Sequence, residues 1–256
     1  MLHGFSLDHR AMTGCMEPIL HARGGWRRIY PDLPGMGKTP VGKSIASSDH
    51  MLNALLEFIE ATIPNEHFLL VGESYGAYLA RGVAYHKRDM VDGLLLICPC
   101  VIAEREKRNL PRHVTLVEDP ALLSSLQSKE ADDFKSIAVV QTPQTWRRCR
   151  DEIICGVKIA DEAFLTKLQT EHYAFSFDLD RLLGVFERPS LVLVGRQDAS
   201  VGYSDAWSIL GNYPRSTFAV LDRAGHNLQI EQEKLFNTLV NEWLDRVEEP
   251  LKLPNR

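Results

Sequence analysis

Short apolar runs alternate along the chain with stretches in which apolar residues recur every three or four positions. That alternation predicts an α/β fold, a mostly parallel sheet flanked by helices. The runs Arg28-Ile-Tyr30, His67-Phe-Leu-Leu-Val71, Gly93-Leu-Leu-Leu-Ile97, Ser190-Leu-Val-Leu-Val194 and Thr217-Phe-Ala-Val-Leu221 are each bounded by Gly, Pro or Asp. They read as strands buried on both faces. Between the first two, Ser47-Ser-Asp49 supplies an N-cap for a helix whose positions Leu52, Leu55, Leu56, Ile59 and Ile63 share one face. A second helix is predicted from Ser74 to about Lys87. A last one is predicted from about Leu228 to Val247, with Ile230, Leu235, Leu239, Trp243 and Leu244 in its buried stripe.

From about Val101 to Glu187 the alternation stops. The segment is charged, helical in composition and without a convincing strand, so residues 101–187 are expected to form an inserted helical lid on a core of 1–100 and 188–256. No internal repeat, low-complexity tract or Gly/Ser-rich linker divides the chain.

Composition narrows the function. The 256 residues are 45% hydrophobic, enough for one large core, and carry a formal net charge of −5. That charge offers no field to gather a polyanion, so no nucleic-acid partner is expected and a small-molecule substrate is. No apolar run approaches the roughly 18 residues of a membrane-spanning helix. The cysteines Cys15, Cys98, Cys100, Cys149 and Cys155 lack zinc or Cys-x-x-Cys spacing and read as reduced thiols, which, with no secretory pattern at Met1-Leu-His-Gly, points to the cytoplasm. No feature specifies an oligomeric state.

The chemistry is concentrated at strand ends. Leu70-Val-Gly72-Glu-Ser74-Tyr-Gly76 runs from an apolar strand through Gly-x-Ser-x-Gly into a helical pattern. So tight a turn needs small residues on both sides of the serine, and it exposes the hydroxyl at a helix N-terminus. Serine is a weak nucleophile and requires a base of suitable pKa. Among nine histidines, His226 in Asp222-Arg-Ala-Gly225-His226-Asn follows the last strand and so falls on the same sheet edge. Asp198, at the end of Leu191-Val-Leu-Val-Gly195-Arg-Gln, is the expected carboxylate to orient it, with Asp205 and Asp222 as nearby structural acids.

These pieces, together with Leu2-His3-Gly4-Phe5 and Asp32-Leu-Pro-Gly35-Met-Gly37, resemble the α/β-hydrolase superfamily with a lid over nearly the whole chain. The group contains esterases, carbon–carbon hydrolases and proline iminopeptidases. The resemblance implies a catalytic Ser74, His226 and Asp198, and an oxyanion hole made by the backbone N–H groups of Phe5 and Tyr75. It also implies that His3-Gly4 ends a central strand preceded by others. Only Met1 and Leu2 stand before it, so the N-terminal strands are expected to lie upstream of this sequence. The His3 imidazole is expected to make a structural bond within its turn.

Cleavage of a small or medium carboxylic ester through an acyl-enzyme is the first expectation, and it needs no metal or organic cofactor. A carbon–carbon hydrolase or an aminopeptidase comes second, the latter requiring lid carboxylates such as Glu152, Asp161, Glu162 or Glu171 to face a substrate amine. A ligand receptor or an inactive truncated hydrolase is the alternative of another class. Pro34-Gly-Met-Gly37-Lys38-Thr39 ends like a phosphate loop but has Asp32 where that motif needs glycine. Glu104-Arg-Glu-Lys-Arg108 reads as a solvated helix face.

Overall fold

The computed structural model describes residues 1–249. Its sheet has four parallel strands in the order β1 (Phe68–Glu73), β2 (Val91–Ile97), β3 (Ser190–Gly195) and β4 (Ser216–Leu221). Parallel neighbours require a crossover at each step. Accordingly α3 (Tyr75–His86) joins β1 to β2, the long insert joins β2 to β3, and α10 (Ser204–Ser208) lies between β3 and β4. Because every strand runs the same way, the turns that follow their C-termini gather on one edge.

Ahead of the sheet come α1 (His9–Leu20), capped by the Asp8 carboxylate, and α2 (Ser48–Thr62), capped by the Ser47 hydroxyl as its sequence predicts. The insert holds α4 (Pro120–Ser125), α5 (Ser128–Ile137), α6 (Pro143–Arg148), α7 (Cys155–Val157), α8 (Glu162–Glu171) and α9 (Leu179–Leu183). A π-helical turn, Cys149–Ile154, makes α6 and α7 one continuous rod. Phe134, Trp146 and Ile153 of this insert bury a small core of their own against Leu7 and Ala11.

The expected last helix is two helices, α11 (Leu228–Glu231) and α12 (Glu233–Glu248), broken where Gln232 leaves helical geometry at φ −125°. Trp243 of α12 is fully buried, and its indole N–H donates to the Pro189 carbonyl at 3.0 Å, anchoring the helix beside β3.

The strand predicted at Arg28-Ile-Tyr30 is not part of a ladder. A strand exists through its pairing, and among the described residues the backbone pairing here is confined to the Met1 ammonium donating to the Ile29 carbonyl at 2.9 Å. Leu2 makes one parallel bridge to Gly72, its N–H donating to Val71 at 2.8 Å. A cavity of about 310 Å³ lies between these segments, lined by Trp26, Ile29, Phe58, Phe68 and Trp243 but by none of the three candidate catalytic residues.

Candidate active site

The turn after β1 has the geometry its glycines predict. Ser74 adopts a left-handed conformation, φ 53°, between strand and helix. A Cβ at Gly72 would overlap the backbone of Gly76 and Ala77, and one at Gly76 would overlap the carbonyls of Leu2 and His3. No side chain larger than hydrogen fits at either place. The Ser74 N–H donates to the Ile97 carbonyl at 2.9 Å, and the Ser74 carbonyl accepts from Cys100 at 3.2 Å. The strained residue is thereby fixed from two sides.

Three side chains distant in sequence meet here. His226 Nε2 lies 2.9 Å from Ser74 Oγ, and His226 Nδ1 lies 2.8 Å from Asp198 Oδ2. An ionised carboxylate can only accept, so Nδ1 carries its proton and, in the neutral ring, Nε2 is free to accept from the serine hydroxyl. The second Asp198 oxygen accepts from the amides of Ser200 at 2.8 Å and Val201 at 3.1 Å, which fixes the carboxylate in its loop.

Electrostatics follows from burial and from these contacts. Burial by itself would raise the Asp198 carboxyl, but the His226 charge, its hydrogen bond and the two amides hold it below the usual carboxylate range. Burial also works against a charged His226, yet Asp198 and, more weakly, Glu73 outweigh it and push the imidazole up to about 9. The Cys98 sulfur lies within 4.8 Å of the Asp198 and His226 ligand atoms. Burial drives its thiol well upward, so it stays protonated and is no rival nucleophile.

The amides of Phe5 and Tyr75 have no hydrogen-bond partner among the described residues. The Phe5 ring meets Tyr75 edge-on at 5.3 Å and Tyr173 of the insert at 5.4 Å, an aromatic wall next to those amides. His3 is structural, as expected: its Nδ1 bonds the Gly4 carbonyl at 2.8 Å, and its Nε2 accepts from Leu33 N–H at 3.0 Å. Asp205 accepts from Asn109, and Asp222 accepts from Gln197, so neither belongs to the cluster.

Among the acids considered for an amine subsite, Glu152 is paired with Arg148 at 2.6 Å, and Asp161 caps α8 through Phe164 N–H. Glu162 and Glu171 are exposed. The run 104–108 is solvated except at its end. Arg108 turns inward and donates to the carbonyls of Ile102 and Ala103, each at 2.8 Å, and of Ser200 at 3.1 Å, which ties the chain after β2 to the Asp198 loop.

Two residues at the site carry no sequence motif. Glu231 accepts from Gly225 N–H at 2.6 Å, beside His226, and from Val139 N–H of the insert at 2.6 Å. Glu73, between Gly72 and the serine, is buried; among the described residues neither oxygen makes a well-formed hydrogen bond, and Oε1 lies 3.6 Å from His226 Nε2.

A sequence model for the alpha/beta hydrolase fold matches residues 1–233. The chain belongs to that family and is an alpha/beta hydrolase enzyme. An alpha/beta superfamily hydrolase from Oenococcus oeni PSU-1 superimposes with a TM-score of 0.88 at 32% identity, over 97% of this chain and 91% of that one. Monoacylglycerol lipase ABHD6 of Bos taurus is 24% identical, over 96% of this chain and 75% of its own length. A 2-hydroxy-6-oxononadienedioate/2-hydroxy-6-oxononatrienedioate hydrolase of Burkholderia vietnamiensis is 26% identical, over 88% and 78%. Among the described residues, no helix is long and apolar enough to cross a membrane.

Proposed function

We propose that this enzyme cleaves small or medium carboxylic esters through an acyl-enzyme on Ser74. The observation that carries the reading is the unbroken chain of contacts from Ser74 Oγ through His226 to Asp198, at 2.9 and 2.8 Å. Ser74 Oγ adds to the ester carbonyl as its proton passes to His226 Nε2, and Asp198 meets the charge on the imidazolium. The amides of Phe5 and Tyr75 take the oxyanion, and removal of one such donor typically costs about 3 to 4 kcal/mol of barrier. His226 then protonates the departing alkoxide. Water, deprotonated by the same imidazole, releases the acid and restores the serine.

Residues 101–187 act as the lid in this scheme, and the half-buried Phe5 and Tyr173 rings favour an apolar acyl group. The cytoplasmic reading rests on the thiols, all of which are free. A carbon–carbon hydrolase is the second reading, favoured by the relative named as a 2-hydroxy-6-oxononadienedioate hydrolase. The acids considered for an aminopeptidase give no such support, since Glu152 and Asp161 have other partners.

A panel of p-nitrophenyl esters of increasing acyl length, run beside a vinylogous diketone acid and an amino-acid anilide, separates these readings. Turnover of short and medium esters with a burst of p-nitrophenol is expected. Preference for the diketone acid by orders of magnitude in kcat/KM would establish the second reading. No turnover of any class, with no reaction of Ser74, would point to a ligand receptor.

A further inference from the structure

Glu73 differs from every other acid near the site. It is 1% exposed, and among the described residues neither carboxyl oxygen makes a well-formed hydrogen bond, the Gly4 amide being the one backbone donor that weighs on its charge. Such a group is costly to bury and uncommon in folded proteins, and it calls for a functional account. Its Oε1 lies 3.6 Å from His226 Nε2, the same nitrogen that faces the Ser74 hydroxyl at 2.9 Å. Backbone geometry enforces that place. Glu73 N–H donates to the Leu2 carbonyl at 3.0 Å, and the missing side chain of Gly4 makes room for the carboxyl, since a Cβ there would overlap Oε2.

We propose that Glu73 is a positioning residue that acts through His226, a second carboxyl whose charge state sets how readily the imidazole accepts and returns the Ser74 proton. The inference rests on the triad reading and deepens it. As the Ser74 O–H bond breaks, the oxygen's electron pair forms the bond to the carbonyl carbon and the proton goes to Nε2. The new N–H then has Glu73 as its second neighbour. An ionised Glu73 stabilises the imidazolium on the Nε2 side as Asp198 does on the Nδ1 side. In the resting enzyme the same attraction retains a proton on His226 and keeps it from serving as a base.

Few groups compete for this proton. His226 and Asp198 face Glu73 from the loops after β4 and β3. The Cys98 thiol beyond β2 and the Cys15 thiol of α1 also feel its charge, and burial keeps both protonated. Past Cys15 stands Arg148, paired with Glu152 at 2.6 Å and with Glu233 at 3.4 Å. Burial and, more weakly, the Asp198 charge push Glu73 up to about 7 against the pull of His226 and of the Gly4 amide. Carboxyl and imidazole therefore titrate as one coupled unit.

Glu73→Gln removes the charge and keeps the shape. The His226 ring nitrogens, followed by NMR in 15N-histidine-labelled protein, should titrate about one pH unit lower in this variant. The acid limb of ester hydrolysis should move with them, with KM unchanged and the plateau kcat reduced about threefold by the weaker base. Glu73→Asp retains a carboxyl and should return the midpoint toward that of the parent. Identical His226 midpoints and pH profiles in the parent and Glu73→Gln would overturn the proposal. Where Glu73→Gln fails to fold, the parent decides alone: the His226 signal must show two linked steps, and a single step overturns the coupling. A shifted midpoint in a protein whose Ser74 never reacts would leave the coupling standing and remove the hydrolase reading instead.

Discussion

Ser74→Ala is expected to reduce kcat for ester hydrolysis by about a millionfold, the scale lost when the nucleophile of such a unit is removed. The substitution deletes the one atom that bonds carbon in the proposed reaction and leaves the surroundings in place. The Ser74 backbone still donates to Ile97 at 2.9 Å and still accepts from Cys100 at 3.2 Å. Alanine meets the same left-handed backbone as serine, so the melting temperature should change little while turnover disappears. Steady-state kinetics beside a thermal melt checks both halves. Retained activity with an unchanged melt would mean that another group attacks the substrate.

Asp198→Asn should cost about ten-thousandfold in kcat, for a reason that is geometrical as much as electrostatic. The asparagine carbonyl can replace Oδ1 as acceptor for the amides of Ser200 and Val201, at 2.8 and 3.1 Å in the parent. Its NH2 group then faces His226 Nδ1, and two donors cannot share that contact. Nδ1 must accept, so Nε2 carries the proton and is lost as a base for Ser74. Substrate binding does not use this contact, so KM should remain within a few-fold of the parent value. A large rise in KM with kcat preserved would show that Asp198 shapes the pocket instead of setting the tautomer.

The central site was legible because each of its parts combines a residue type with a place on a strand. Gly72, Ser74 and Gly76 follow the apolar run of β1, and Asp198 and His226 follow β3 and β4, so parallel topology alone brings them to one edge. The four strands of the sheet were equally plain, each being apolar and bounded by turn residues. The stretch Arg28-Ile-Tyr30 misled because local character cannot reveal whether a neighbour pairs with it. The break at Gln232 was hidden for a related reason: apolar residues recur on both sides of it, but it turns the expected stripe, leaving Leu235 49% exposed and burying Phe236 and Val240 beside Trp243 and Leu244.

Glu73, Glu231 and Arg108 were hidden for another reason. Each acts through tertiary contacts with loops far away in sequence, His226 for Glu73, Val139 for Glu231 and Ser200 for Arg108. In the sequence Arg108 ends a charged run and Glu73 is merely the variable position of a motif. The available signal at Glu73 was a charge set at the end of a strand whose neighbours are apolar or glycine, where an acid has no solvent to face.

Reaction of the native protein with a fluorophosphonate, followed by mass mapping of the adduct, tests most directly whether the hydroxyl beside His226 is the nucleophile. The account predicts one stoichiometric phosphonyl group on Ser74, absent from Ser74→Ala and formed far more slowly in Asp198→Asn. An unreactive native protein, or an adduct carried by some other residue, would contradict it.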